Sequence, residues 1–287
     1  MAPLTVDMKQ FLILMLTQFC RFTTVSFRDR IATIIGILWY FIAEERRKVV
    51  RENIETIKGN VKENEIKSTF INFIKVYSDI VNIPNMSKTY LHSMIKVSGL
   101  HFARSELDKG KGVILVGSHL GGMEIAGPYL SSLGLPLFSI AESKGPGMKF
   151  FNFYNRYREH LGSKILRLED RNLIFTIMRL LKKNKAVTII TDRDIQNSGV
   201  DYKFFGRIVS MPKGASILSI RTGAPIIVCY NVLDPETPRY KGVIFRPIYP
   251  DDYNSEDDLM NEMIRLLEKQ ITMFYDQWFV FQRIWKD

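Results

Sequence analysis

The sequence predicts an α/β fold, a central mostly parallel or mixed sheet flanked by helices, on three observations. Short apolar runs rich in Val, Ile and Leu alternate with stretches of helical periodicity from residue 113 to residue 247. With 46% hydrophobic and 12% aromatic residues, the 287-residue chain can bury one large core. No Gly/Ser or Pro tract and no internal repeat divides it, so residues 1–287 are expected to form a single domain.

Taken in order, residues 11–19 and 31–43 are apolar runs separated by Arg21, Arg28, Asp29 and Arg30. Each is shorter than the ~20 residues that cross a bilayer. The first flows into Cys20-Arg21-Phe22 with no small-residue cleavage site, which argues against a cleaved signal peptide. Residues 1–45 are therefore expected to form amphipathic helices in a membrane interface, with Arg and Lys turned toward anionic lipid. The alternative is that both runs pack on the chain's own core. From 44 to 90 the pattern is helical, with Val49, Val50, Ile54 and Ile57, then Ile66, Phe70, Phe73, Ile74 and Tyr77, recurring on either side of Gly59-Asn60. Strands are expected at 113–117, 137–141, 164–168, 186–191, 225–232 and 242–247. Helices are expected from 123, at 148–161 and at 172–183, with another through Leu259, Met263, Leu266, Leu267 and Ile271 that leads to the aromatic tail Tyr275, Trp278, Phe279, Phe281 and Trp285.

Composition narrows function. The net charge of +10 attracts polyanions: nucleic acid, an anionic lipid surface or an acidic protein. The aromatics sit in apolar runs and no nucleic-acid motif is present, so nucleic acid is not an expected partner. Two cysteines, Cys20 and Cys229, give no disulfide framework. Four histidines without H-E-x-x-H or clustered cysteines give no expected metal site. Gly117, Gly121 and Gly122 do not form a dinucleotide loop, and Gly110-Lys111-Gly112 precedes its strand and marks a turn.

One segment carries chemistry. The apolar strand at 113–117 delivers His119 to its end; Gly121 and Gly122 follow, and Glu124 falls in the first turn of the next helix, where a carboxylate is favoured. In a continuous helix residues five apart lie roughly 140° apart. A His119–Glu124 hydrogen bond thus needs the bend that the two glycines permit. The pair predicts a general base: Glu124 holds one imidazole nitrogen and the other takes a proton. Ser118 points to the opposite face, so no acyl-enzyme is required. Amides around Gly121, Gly122 and Met123 are expected oxyanion donors. A second polar cluster, Asp192-Arg193-Asp194, follows the strand at 186–191; it either meets His119 at the strand ends or is a solvated loop.

These features in series resemble the lipid A biosynthesis acyltransferases, lauroyl and myristoyl, together with the phosphatidylinositol mannoside acyltransferases, over nearly the full chain. The markers are Arg46-Arg47-Lys48-Val49-Val50-Arg51-Glu52-Asn53, residues 110–116, His119-x-x-x-x-Glu124, Asn155-Arg156-Tyr157-Arg158-Glu159, Asp192-Arg193-Asp194, Phe204-Phe205-Gly206 and Arg221-Thr222-Gly223-Ala224-Pro225. Gly121-Gly122 departs from the asparagine and aromatic common there, and Met211-Pro212-Lys213-Gly214-Ala215 from the frequent Gly-Pro-Ala. The resemblance implies a peripheral enzyme at the cytoplasmic face of the inner membrane. It moves an acyl group from acyl carrier protein or coenzyme A, as co-substrate without a cofactor, to a hydroxyl of a membrane glycolipid. It implies Asp192 as a third catalytic residue, orienting His119 or the acceptor hydroxyl, and Arg156, Arg158, Arg193, Asp194 and Phe205 as substrate-binding residues. A surface role for the arginines, and core packing for Phe150, Phe151 and Phe153 in place of an acyl groove, are the competing readings. A catalytically silent glycolipid-binding protein is the functional alternative.

Overall fold

The computed structural model describes residues 8–145 and 147–286; the first seven residues of the expected amino-terminal segment, Pro146 and Asp287 lie outside the described residues. Four helices come first: α1 (Met8–Arg21), α2 (Val25–Ile42), α3 (Glu44–Lys58) and α4 (Glu63–Asn82). Gly59, at φ 83°, ends α3 in the left-handed conformation that favours glycine. Then follow α5 (Lys88–Met94), β1 (Ile95–Ser98), α6 (Leu100–Asp108), β2 (Val113–Gly117), α7 (Met123–Ser132), β3 (Leu137–Ala141), α8 (Met148–Arg158), β4 (Lys164–Arg167), α9 (Leu173–Lys182) and β5 (Ala186–Ile190). The remainder is β6 (Val200–Phe204), β7 (Arg207–Met211), α10 (Gly214–Thr222), β8 (Ile226–Leu233), β9 (Tyr240–Ile244) and α11 (Glu256–Met273).

Seven strands form one sheet in the order β1-β9-β8-β2-β5-β3-β4. It is mixed: β2 pairs parallel with β5 and β8, β3 with β4 and β5, and β1 with β9, while β8 and β9 are antiparallel. All five residues of β2 are buried, as expected of a strand covered on both faces. Ile114 and Val116 join a core with α9, α10 and α11. Val113 and Leu115 join a second core with α4 and α7.

The first four helices build a layer in which α1, α2 and α3 pack against α4. Among the described residues no helix is long and apolar enough to cross a membrane. The basic residues of this layer divide: Lys9, Arg21 and Arg30 are exposed, as expected, whereas Arg28 is not. Arg28 is buried and faces inward, 3.5 Å from the fully buried Asp79, and donates to the Cys20 and Thr23 carbonyls. Thr17 is also buried, bonded to Tyr157 and to the Val81 carbonyl. Apolar side chains face outward beside them: Phe11, Leu12 and Met15 on α1, Phe22 (80% exposed) at the turn, and Ile34, Leu38, Phe41 and Ile42 on α2. Arg239 fixes this layer to the sheet by two bonds to Asp29 and one to Asp79.

Strand β1, the β6–β7 hairpin and the short helices α5 and α6 fall outside the sequence expectation. Strand β1 lies at a sheet edge, too short at four residues to show a period. The β6–β7 hairpin buries Tyr202, Phe204, Val209 and Met211 in strict alternation. Its turn residues, Phe205 and Gly206, lie at φ 50° and 80°, the positive values a two-residue hairpin turn requires. Phe205 is thus part of a turn, its ring against Phe204 and Trp278, and not a lining residue of the cavity described below.

Candidate active site

Parallel strands end together at one side of the sheet, and the chain leaves β2 there through Ser118, His119, Leu120 and the two glycines. Gly121 lies at φ 58°; a Cβ on it would stand 2.5 Å from the Asn231 carbonyl oxygen. A Cβ on Gly122 would stand 2.6 Å from the Tyr240 ring. Glycine is required at both, the first by conformation and the second by close approach. Their amides, expected as oxyanion donors, are spent elsewhere: Gly121 donates to the Gln277 carbonyl at 2.9 Å and Gly122 to the Asn231 carbonyl at 2.6 Å. Asn231 also donates through Nδ2 to the Gly122 carbonyl. Two free amides remain at the start of α7: among the described residues neither Met123 nor Glu124 finds a backbone or side-chain acceptor.

His119 does not bond Glu124. Its Nδ1 lies 2.7 Å from Asp192 Oδ1, and its own amide donates to Asp192 Oδ2 at 2.8 Å. Trp278 Nε1 donates to the same Oδ2 at 2.8 Å. Asp192 has no exposed surface, whereas His119 is 28% exposed and lines a cavity. Burial drives the Asp192 carboxyl upward, but the charge and hydrogen bonds of His119, with the Trp278 bond, outweigh it; the net direction is down, so Asp192 is a carboxylate. With Nδ1 so held, Nε2 is the nitrogen left for chemistry.

Glu124 is committed to Arg158 instead, by bonds of 2.9 Å from Nε and 2.7 Å from Nη2. Two features explain the difference. The helix starts at Met123, so the bend turns the Glu124 carboxylate toward α8, and Arg158 in the last turn of α8 offers a planar fork that matches a carboxylate. Burial raises the Glu124 carboxyl, yet the Arg158 charge and hydrogen bonds, and then the charge of His119, pull it below the usual range. Glu124 therefore meets His119 through its field, without a hydrogen bond.

The cavity has a volume of about 890 Å³ and is lined by His119, Glu124, Arg158, Arg193, Asp194 and Gly121 among many apolar side chains. Arg156 is exposed on the outer side of α8 and Gly122 lies behind the elbow; neither lines it. Asp194 lines it, but its carboxylate is occupied by the Ser198 and Gly199 amides and the Ser210 hydroxyl, which close the loop before β6. Arg193 bonds Gln282 at the rim. Phe150 and Phe151 line the cavity and Phe153 does not. Burial pushes the Cys229 thiol in the wall up to about 12, so it is no nucleophile. Ser118 is buried and its Oγ accepts from Gln270. Trp278 and Asn231, the outer supports of the site, carry no local sequence signal: Trp278 reads as one more residue of an aromatic tail.

Comparison with known proteins gives this geometry relatives. The family model described as bacterial lipid A biosynthesis acyltransferase matches residues 4–287. A phosphatidylinositol mannoside acyltransferase of Mycolicibacterium smegmatis is 28% identical over 183 residues, 62% of this chain and 60% of that protein. One from Mycobacterium tuberculosis is 25% identical over 196 residues, 66% of this chain and 62% of that protein. The matched region thus spans 60–62% of the length of these curated relatives. Among solved structures, the 1-acyl-sn-glycerophosphate acyltransferase PlsC from Thermotoga maritima is similar with a TM-score of 0.45 and 15% identity, over 89% of this chain and 99% of that one.

Proposed function

This chain belongs to the bacterial lipid A biosynthesis acyltransferase family, and from that premise we propose that it moves a fatty acyl group from a thioester, on acyl carrier protein or coenzyme A, to a hydroxyl of a membrane glycolipid. The observation that carries the reading is a histidine whose Nδ1 is fixed by a fully buried carboxylate at the wall of a large apolar cavity. A hydroxyl is a poor nucleophile at neutral pH. His119 Nε2 takes its proton as the oxygen attacks the thioester carbonyl, and Asp192 stabilises the imidazolium that results. The carbon–sulfur bond then breaks, the thiolate recovers the proton from the imidazolium, and ester and free thiol leave. The Met123 and Glu124 amides are the donors we assign to the oxyanion. Arg158 and Glu124 brace α8 against α7 and keep a charge of each sign at the cavity wall.

The acceptor class follows the name of the relatives, a glycosylated phospholipid or a lipid A-like glycolipid. The apolar outward faces of α1 and α2 support docking on a membrane, with their rings and aliphatic side chains below the headgroups. A peripheral position on the cytoplasmic face, where acyl thioesters are made, belongs to the same proposal.

The test is multiple turnover of palmitoyl coenzyme A or palmitoyl carrier protein by purified protein with a glycolipid extract, the product read by mass spectrometry. His119→Ala is expected to abolish it with the melting temperature retained. Wild-type protein that binds glycolipid but never turns over establishes the silent binding protein instead.

A further inference from the structure

Beyond α11 the chain runs back alongside the turn that carries His119. The Gln277 carbonyl accepts the Gly121 amide at 2.9 Å, Trp278 lies opposite Leu120 in an antiparallel bridge, and the Phe279 amide donates to the His119 carbonyl at 2.8 Å. The buried Gln277 side chain ties the same segment to the end of β8: Oε1 accepts the Leu233 amide and Nε2 donates to the Leu233 carbonyl, both at 2.8 Å. Farther on, Asn53 of α3 donates to the Val280 carbonyl at 2.9 Å. Residues 277–279 thus form a strap, anchored at both ends, across residues 119–121. None of these bonds needs a particular side chain at 278.

That side chain reaches the other loop of the site. Trp278 is 2% exposed, its ring is packed by Phe204, Phe205 and Trp285, and its Nε1 donates to Asp192 Oδ2 at 2.8 Å. The His119 amide donates to the same oxygen, and the His119 imidazole meets Oδ1. A carboxylate held by the amide and the ring of one residue swings with that residue. A third bond, from a packed ring on a different element, fixes its plane in the frame of the protein.

We propose that Trp278 is a positioning residue for acyl transfer: its indole N–H fixes the Asp192 carboxylate, and through it the direction in which His119 presents Nε2 to the acceptor hydroxyl. Trp278 does not line the cavity and touches no reacting atom. Its strap joins the turn after β2, which carries the base, to the loop after β5, which carries the carboxylate. The inference rests on His119 as the base of the proposed reaction.

The N–H is removed with little change of shape by placing benzothienylalanine, whose ring sulfur stands where the indole nitrogen was, at position 278 by stop-codon suppression. Trp285 supplies the control, because its Nε1 makes a buried bond of 2.9 Å to Asn53 Oδ1 and none to Asp192. The analogue at 278 is expected to lower kcat for palmitoyl transfer from coenzyme A about tenfold or more, as does loss of a hydrogen bond to a charged group, with the donor KM unchanged. The analogue at 285 is expected to leave both unchanged. With one donor fewer, the Asp192 carboxylate holds the imidazolium more strongly, so the acid limb of the kcat/KM profile moves to higher pH in the 278 analogue. The other charges that face His119 are the same in both proteins: Glu124 on α7 with Arg158 on α8, and Arg193 and Asp194 at the cavity wall. A ring that only fills space moves the melting temperature and leaves kcat per folded enzyme and the acid limb where they were; that result overturns the proposal. Trp278→Phe replaces the analogue if suppression yields no folded protein, and the same two readouts decide. NMR titration of the His119 imidazole needs no turnover. An upward shift in the 278 analogue of a protein that never transfers an acyl group leaves the hold of Trp278 on the pair standing and sinks the acyl-transfer reading.

Discussion

Asp192→Asn tests the assignment of the base by inverting one tautomer. Asp192 Oδ2 receives two N–H groups, from the His119 amide and from Trp278 Nε1, both at 2.8 Å. An asparagine at 192 must place its carbonyl oxygen there, because an NH₂ group would face two donors. Its NH₂ then falls 2.7 Å from His119 Nδ1, where the carboxylate Oδ1 stood. Nδ1 becomes the acceptor, the ring proton moves to Nε2, and the nitrogen facing the substrate can no longer take a proton. The same inversion in a serine protease triad lowers kcat about 10⁴-fold, and positioned general bases contribute about 10²–10⁴. A fall of about 10³–10⁴ is expected here, some 4–5.5 kcal/mol at 1.36 kcal/mol per decade. Thiol release from palmitoyl coenzyme A in the presence of glycolipid gives the rate, and a thermal melt shows that the fold persists. The paired control is Glu124→Gln, which leaves the His119–Asp192 bond untouched and is expected to cost less. A folded Asp192→Asn enzyme that keeps more than about a tenth of wild-type activity, beside an inactive Glu124→Gln, would transfer the orienting role to Glu124 and refute the reasoning.

Gly121→Ala meets a left-handed backbone and a carbonyl oxygen 2.5 Å from the new Cβ; about 2–5 kcal/mol of stability is expected to be lost, read by urea unfolding, and the site with it. Glu169 accepts from the Ser143 and Lys144 amides and the Ser143 hydroxyl. Although burial works against it, these bonds hold its carboxyl at about 2. Its folded value being depressed, its stabilisation is complete above the ordinary glutamate value of about 4.3 and disappears as pH falls toward 2. Glu169→Gln is expected to flatten that stretch of the stability–pH curve, and an unchanged slope counts against the loop contact. Phe22→Ser with Phe27→Ser, on the exposed apolar turn between α1 and α2, is expected to weaken vesicle binding by tenfold or more, since burying each ring in lipid gives about 1.5–3 kcal/mol. Unfolding should shift by no more than about 0.5 kcal/mol, and undiminished vesicle binding would place the docking face elsewhere.

The parts of this fold visible in the sequence are those fixed by local pattern. The wholly apolar run of β2 and the 3.6-residue spacing of α3, α4 and α11 read directly into strands and helices, because burial on both faces or on one stripe leaves its mark within a short window. The glycine elbow was legible for the same reason. What could not be read was set by distance along the chain. Trp278 reaches Asp192 across 86 residues, a contact that only the sheet order creates, while the meeting of Asp192 with His119 across 73 residues stood in the sequence as one of two readings, the other a solvated loop. The expectation that Glu124 would hold His119 rested on nearness in sequence; Arg158, 34 residues on, offered the carboxylate two bonds where the imidazole offers one. The hairpin β6–β7 was hidden because its alternation is short and its turn places phenylalanine at a positive φ, a residue no turn rule favours there. In the amino-terminal helices Lys9, Arg21 and Arg30 face outward as expected, but Arg28 is drawn inward by Asp79, an acid on a different helix, and both helices begin before the apolar runs that marked them.

Two carboxylates near one histidine raise the question of why the chain keeps both, and their burial answers it. Asp192 is wholly enclosed, and each of its oxygens is aimed by a fixed donor, so it can set the direction of the imidazole but cannot move as charge develops. Glu124 is partly open to the cavity, and its negative charge is shared with Arg158. When His119 takes the proton, an uncompensated second carboxylate beside it would already have bound a cation or a proton of its own in the resting state. Paired with Arg158, Glu124 stays ionised without that cost. The pair is neutral as a whole, yet its carboxylate stands five residues from His119, in the first turn of α7, and Arg158 reaches it from α8. On the proposed reading, with His119 as base, this arrangement keeps a fixed negative charge beside the imidazolium as it forms at the cavity wall.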